Sequence, residues 1–158
     1  MISVLFVCMG NICRSPALQA AFQKLVIDKG VAERFRIASC SVTTFYIGEN
    51  ADERMQKAAE QRGLRIDHIA LQFEKKFFEI FDYILPVDRE VIAILKQMEP
   101  DPEAQKKIHL VTEYSSKYFN QDIPDPYYGS SKSFEHVMDM VLNSIDGLFS
   151  FLLKQHSI

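Results

Sequence analysis

Val4-Leu5-Phe6-Val7-Cys8-Met9-Gly10-Asn11-Ile12-Cys13-Arg14-Ser15-Pro16 is the stretch that decides how this chain folds. Val4 to Val7 are all apolar and bulky, which predicts a short buried strand. Ser15-Pro16 predicts a helix start, with Ser15 as N-cap and Pro16 at the first helical position. The turn between them, Cys8 to Ser15, falls at the carboxyl end of a strand, where open α/β sheets bind ligands. Its amides and the following helix N-terminus make a seat for an anion. Cys8 stands at the rim of that seat and Arg14 follows on the same turn.

These residue types suit phosphate-ester chemistry. Such esters hydrolyse very slowly in water, and a covalent intermediate splits the difficult step in two. A thiolate nucleophile is favoured by a helix N-terminus and a nearby guanidinium, and Cys8 is expected to have both. The amides of Met9, Gly10, Asn11, Ile12, Cys13 and Arg14 can surround the equatorial oxygens, while the Arg14 fork adds a charged pair of donors. Gly10 allows close backbone approach, and Asn11 tolerates a left-handed conformation. Arginine and amides carry the electrostatic load, so neither metal nor cofactor is expected. The plainer alternative for Cys8 is a buried cysteine ending a core strand, and the strand before it, the Gly-Asn within the turn and the Ser-Pro helix start after it favour the functional reading.

Working outward, Pro16 to Lys29 predicts a helix with Ala17, Leu18, Ala21, Phe22, Leu25 and Val26 on one face. Arg34 to Ser39 alternates and predicts a second strand, followed by a polar and aromatic loop to Glu49. Asn50 and Glu53 have capping-box spacing ahead of a helix that stops at Gly63. Leu64 to Leu71 is expected to turn into a short strand, and Tyr83 to Leu85 to form a buried one. Asp88 can cap the next helix. Glu99 to Lys107 is a charged connection, and Ile108 to Val111 is the expected last strand. Tyr114 to Ser131 is long and irregular, which in a compact domain usually signals function. Ser133 is the expected cap of a final helix with a core-facing stripe from Phe134 to Leu152. Strands alternating with helices predict one α/β domain over residues 1–158, its parallel sheet covered on both faces.

The 18 basic and 21 acidic residues leave a net charge of −3, which gives no electrostatic reason to expect nucleic acid or an anionic membrane as partner. No apolar run in the sequence approaches membrane-spanning length, and the N-terminal apolar run is too short for a signal peptide. Three cysteines make a disulfide-stapled secreted scaffold a poor fit, and the expected compartment is the cytoplasm.

Ile123-Pro124-Asp125-Pro126-Tyr127-Tyr128-Gly129 is the second informative stretch. Two prolines flank Asp125 and stiffen the backbone around it. Alone, this reads as a surface turn. Tyr127 and Tyr128 offer flat walls for an aromatic ring, or anchors for the loop itself. Cys13 can pair with Cys8 under oxidant, or simply pack the loop.

Val-Cys-Met-Gly-Asn-Ile-Cys-Arg-Ser-Pro, together with Asp125-Pro126-Tyr127-Tyr128-Gly129, resembles the two active-site loops of the low-molecular-weight protein tyrosine phosphatases. The resemblance runs over essentially the whole chain. It implies a four-stranded parallel sheet of Rossmann-like, phosphotyrosine phosphatase I type. It implies hydrolysis of phosphotyrosine in proteins and of small aryl phosphates, with inorganic phosphate or a similar oxyanion seated in the P-loop. It gives Cys8 the role of nucleophile, Arg14 that of phosphate ligand, and Asp125 that of general acid and then base. Asn11, Ser39 and His68 match bracing positions, Ser15 can hydrogen-bond the Cys8 sulfur, and Phe45 matches the opposite aromatic wall. Thr44, Leu71 and Pro86 depart from the family's usual residues without touching nucleophile, arginine or acid.

Arsenate reductases of the same superfamily use additional downstream cysteines, and none follows Cys40 here. Phosphoarginine phosphatases tend to carry threonine at the position of Ile12 and lack the paired tyrosines. A non-catalytic phosphoprotein-binding module has no need to keep both Cys8 and Asp125.

Overall fold

The computed structural model describes all residues, 1–158. Its central strand is β1, Ile2–Cys8, buried along its whole length, as an apolar run inside a parallel sheet requires. β2, Phe35–Ser41, lies parallel on one side, with Ile2 opposite Phe35 and Cys8 opposite Ser41. β3, Tyr83–Pro86, lies parallel on the other, with Val4 opposite Tyr83 and Val7 opposite Pro86. The order β2-β1-β3 makes the carboxyl end of β1 the point where connections diverge to opposite sides.

Helix α1, Arg14–Asp28, follows β1 and packs on β1 and β2. Phe22 is its main anchor, edge-on to Phe6 at 6.1 Å and to Phe35 at 5.3 Å. Next come α2, Glu53–Glu60, and the single turn α3, Phe77–Ile80. Beyond β3 come α4, Arg89–Met98, and the single turn α5, Pro102–Gln105. The chain ends in α6, Ser131–Gln155, which lies over α1 and α2. By length and composition α6 could cross a membrane, contrary to the sequence expectation. Its apolar stripe, from Phe134 through Met138, Val141, Ile145 and Leu148 to Leu152, is instead buried in the core.

Several boundaries differ from the sequence reading. The sheet has three strands, not four. Ile108 makes one parallel bridge to Ile84, and the chain turns into a 3-10 helix at Val111–Tyr114 before a strand can extend. Leu64 to Leu71 likewise contributes only an antiparallel bridge from Ile69 to Asn50. That pairing keeps Asn50 out of α2, and the cap is Asp52, whose carboxylate accepts from the Arg54 and Met55 amides. α6 starts at Ser131 behind Ser130, so Ser133 lies inside the helix rather than capping it. α1 starts at Arg14 with Cys13 as N-cap and no side-chain cap, so Ser15 is already helical. Its hydroxyl is engaged with the Cys8 sulfur instead.

Candidate active site

The turn after β1 is pinned from several sides. The Cys8 carbonyl accepts from the Val42 amide, and the Met9 carbonyl accepts from the Thr43 hydroxyl at 2.7 Å. Asn11 sits at its centre, fully buried, with φ of 59°. Left-handed backbone is uncommon for a non-glycine residue, and asparagine is among the few that adopt it readily. Its amide N–H points at the Cys8 sulfur, 3.2 Å away. All its side-chain donors and acceptors are used. Nδ2 donates to Ser15 Oγ at 2.7 Å and to Ser39 Oγ at 3.0 Å. Oδ1 accepts from the Leu71 amide at 2.9 Å and lies 2.7 Å from His68 Nε2.

Two proton positions follow. Ser15 Oγ accepts from Asn11, so its own hydrogen is left for the Cys8 sulfur at 2.9 Å. His68 faces a carbonyl oxygen, so Nε2 carries its hydrogen. Burial holds the His68 imidazole below its usual range, which favours the neutral ring. Ser39 completes the brace by donating to Gln19 Oε1 at 2.6 Å. Asn11, Ser39 and His68, expected from the resemblance alone, meet here with Ser15, whereas Gln19 and Thr43 were not expected, since their contacts exist only once the loop is packed.

Arg14 is 3% exposed. Its Nη1 donates to Asp88 Oδ2 at 2.7 Å and to the Ile123 carbonyl at 2.8 Å, while Nη2 lies 3.9 Å from Asp125 Oδ2. Burial works against its charge, but negative charge on Cys8 and the bond from Asp88 outweigh it and raise the guanidinium above its ordinary value. Asp88 was expected only as a helix cap, and it does cap α4 through Val91 N–H at 2.8 Å. Its second oxygen makes it the orienter of Arg14, a contact 74 residues apart in sequence that local spacing cannot signal.

A cleft of about 200 Å³ opens above this turn. Cys8 to Arg14 form its floor, and Phe45, Tyr46, Tyr127 and Tyr128 line its sides, with Asp125 at the rim. Asp125 is about half exposed. Its Oδ1 accepts from the Tyr127 amide, an Asx turn that fixes the side chain's direction. The expected walls are present, with one addition. Phe45 is 71% exposed, whereas Tyr46 packs against Gly10 and lies 5.7 Å from the Tyr127 ring. A Cβ on Gly10 would come within 2.7 Å of the Tyr46 ring, so the glycine admits this wall.

Cys8, Cys13 and Cys40 are all free and buried. Burial pushes the Cys13 thiol well up, and the nearby Asp52 charge adds to this. No group of three or more His, Cys, Asp or Glu side chains is placed to hold a metal ion. The arrangement joins a braced sulfur, a buried arginine and an exposed carboxyl around one aromatic-walled cleft. That suits nucleophilic attack on a phosphate ester with protonation of the departing oxygen.

A model of the low molecular weight phosphotyrosine protein phosphatase family matches residues 3–157. The low molecular weight phosphotyrosine protein phosphatase of Gallus gallus is 40% identical over 155 residues, covering 98% of this chain and 96% of that protein. The Homo sapiens protein of the same name is 37% identical over 155 residues, with the same coverage of 98% and 96%. Among solved structures, a protein tyrosine phosphatase from Entamoeba histolytica with Hepes in its active site superposes with a TM-score of 0.94. It is 30% identical, and the match covers 99% of both chains.

Proposed function

This chain belongs to the low molecular weight phosphotyrosine protein phosphatase family, and from that premise we propose that it hydrolyses phosphotyrosine in proteins, and small aryl phosphates, through a phosphocysteine intermediate. The Cys8 thiolate attacks phosphorus, forming an S–P bond as the P–O bond to the aryl group breaks. The protonated Asp125 carboxyl gives its hydrogen to the departing phenolate oxygen. The resulting carboxylate then takes a proton from water as that water attacks phosphorus. The S–P bond breaks, releasing inorganic phosphate and restoring the thiolate. Arg14 and the amides from Met9 to Arg14 hold the equatorial oxygens throughout.

The observation that carries this reading is the meeting of Cys8, Arg14 and Asp125 at one cleft of about 200 Å³. The Ser15 hydroxyl, directed at the sulfur, stabilises the thiolate and eases its departure in the second step. Phe45, Tyr46, Tyr127 and Tyr128 line the sides of the cleft and receive the substrate ring, which suits an aryl phosphate. The free thiols suit a reducing cytoplasm. Under peroxide, a sulfenic acid on Cys8 condenses with the Cys13 thiol to a disulfide, releasing water and sparing Cys8 from irreversible oxidation.

Leaving-group dependence tests the acid. Asp125→Ala is expected to slow turnover about 100-fold or more for phenyl phosphate and far less for a nitrophenyl ester, whose phenolate needs little protonation. Equal slowing for both would remove Asp125 from the proton-donor role.

A further inference from the structure

The mechanism above gives no part to Arg54, which lies behind the cleft wall against the Tyr127 ring. The segment bearing Asp125 is hung from its ends. At one end the Ile123 amide donates to the Val87 carbonyl at 2.9 Å, and the Ile123 carbonyl accepts from Arg14. At the other, Gly129 is packed so closely on Ser133 that an added Cβ would overlap that side chain. Between them, Pro124 and Pro126 have no amide hydrogen to give, and the Tyr127 amide is spent on Asp125 itself. The Pro126 carbonyl accepts from the Gly129 amide at 2.8 Å, a bond within the segment, so no backbone bond ties residues 125–128 to the opposite side of the cleft.

The Tyr127 ring reaches the opposite side, and Arg54 lies against it. The Arg54 guanidinium carbon is 5.2 Å from the Tyr127 ring centre and 4.8 Å from that of Phe134, which is buried. The same guanidinium forks onto Asp52, with Nε 3.1 Å from Oδ1 and Nη2 2.8 Å from Oδ2. Asp52 in turn donates its amide to the Ile12 carbonyl of the phosphate loop at 2.8 Å. The links run unbroken from Ile12 through Asp52 and Arg54 to Tyr127.

We propose that Arg54 is a positioning residue that holds Tyr127, and with it the Asp125 loop, at a set distance from the phosphate loop. The inference rests on the roles given above to Asp125 and Tyr127. The guanidinium plane stacks on a ring while its edge donates two parallel bonds to a carboxylate. A lysine supplies the charge but neither the plane nor the fork. Arg54 touches neither the phosphate seat nor the reacting atoms.

The test compares wild type, Arg54→Ala and Arg54→Lys. Hydrogen exchange at the bonded amides of Tyr127 and Gly129 should accelerate about fivefold or more in Arg54→Ala, with a smaller change in Arg54→Lys. The KM for a phosphotyrosine peptide should rise about fivefold in Arg54→Ala, while the inhibition constant of inorganic phosphate stays within about twofold of wild type. The α2 cap survives, because the Arg54 backbone amide still bonds Asp52. Unchanged exchange over these residues would overturn the proposal, as would a phosphate constant rising in step with KM. Exchange is read without turnover, so this arm decides the role of Arg54 even if the wild type proves inactive, an outcome that would instead defeat the phosphatase reading.

Discussion

Asp88 serves two partners with its two oxygens: Oδ1 caps α4 through the Val91 amide at 2.8 Å, and Oδ2 accepts from Arg14 Nη1 at 2.7 Å. The two duties are separable by substitution. Asn caps a helix about as well as Asp but brings no charge. Asp88→Asn should therefore keep the α4 cap but turn an NH2 donor toward Arg14, lowering the melting temperature through the buried guanidinium alone and lowering kcat/KM for an aryl phosphate about tenfold, as Arg14 loses its orienting counter-charge. Asp88→Ala should add about 1 kcal/mol of destabilisation from the cap alone, and more from the buried guanidinium left unpaired. Thermal melts and steady-state kinetics on both variants check the split.

The hydroxyl of Ser15 is oriented by Asn11 toward the Cys8 sulfur, 2.9 Å away. Removing it should weaken the thiolate as nucleophile and as leaving group, without disturbing the amides that hold phosphate. For Ser15→Ala, kcat is expected to fall about tenfold or more, with phosphate inhibition within about twofold of wild type. Rapid-mixing kinetics should show phosphoenzyme accumulating more than in wild type. A parallel loss of phosphate binding would mean the hydroxyl shapes the seat instead.

His68 is held neutral by burial, its value below that of the unfolded chain. Below about pH 6.5 the unfolded chain takes up a proton that the folded chain resists, so the folded state loses stability as pH falls. The full contribution is present above that pH, and it diminishes downward until the lowered folded value is reached. Melting temperature should decline from pH 7 to pH 5.5, and the decline should be shallower in His68→Gln, whose amide can still donate to Asn11. Identical slopes in the two proteins would assign the acid sensitivity to other groups.

Gly147 faces the Tyr114 carbonyl so closely that a Cβ there would overlap the backbone oxygen. A flexible side chain could move aside, but a carbonyl in the 3-10 turn Val111–Tyr114 cannot do so without shifting α6. Gly147→Ala should cost about 3 kcal/mol, despite alanine's better helix propensity. Denaturant unfolding reads this directly, and a neutral or stabilising result would show that the helix can shift at little cost.

The strand–turn–helix at residues 2–28 was legible because strand pattern, turn chemistry and helix periodicity agree there. The errors occur where one residue had two possible uses. Ser15 has the sequence signature of a cap, yet its hydroxyl serves Cys8. Asn50 has capping-box spacing, yet its backbone pairs with Ile69, and Asp52 takes the helix. Ile108 to Val111 is apolar enough for a strand, but pairing extends to only one bridge before the chain turns. For the site, Cys8, Arg14 and Asp125 could be named from two short stretches. Asp88, Tyr46 and Arg54 could not, because their importance lies in contacts between segments far apart in sequence.

The most direct test of the account is phosphate release from para-nitrophenyl phosphate and a phosphotyrosine peptide, with chelator present, by wild type and Cys8→Ser. The wild type should release phosphate from both substrates, and Cys8→Ser should release none above background while still binding phosphate analogues. Turnover by folded Cys8→Ser, or a strict requirement for metal, would contradict it.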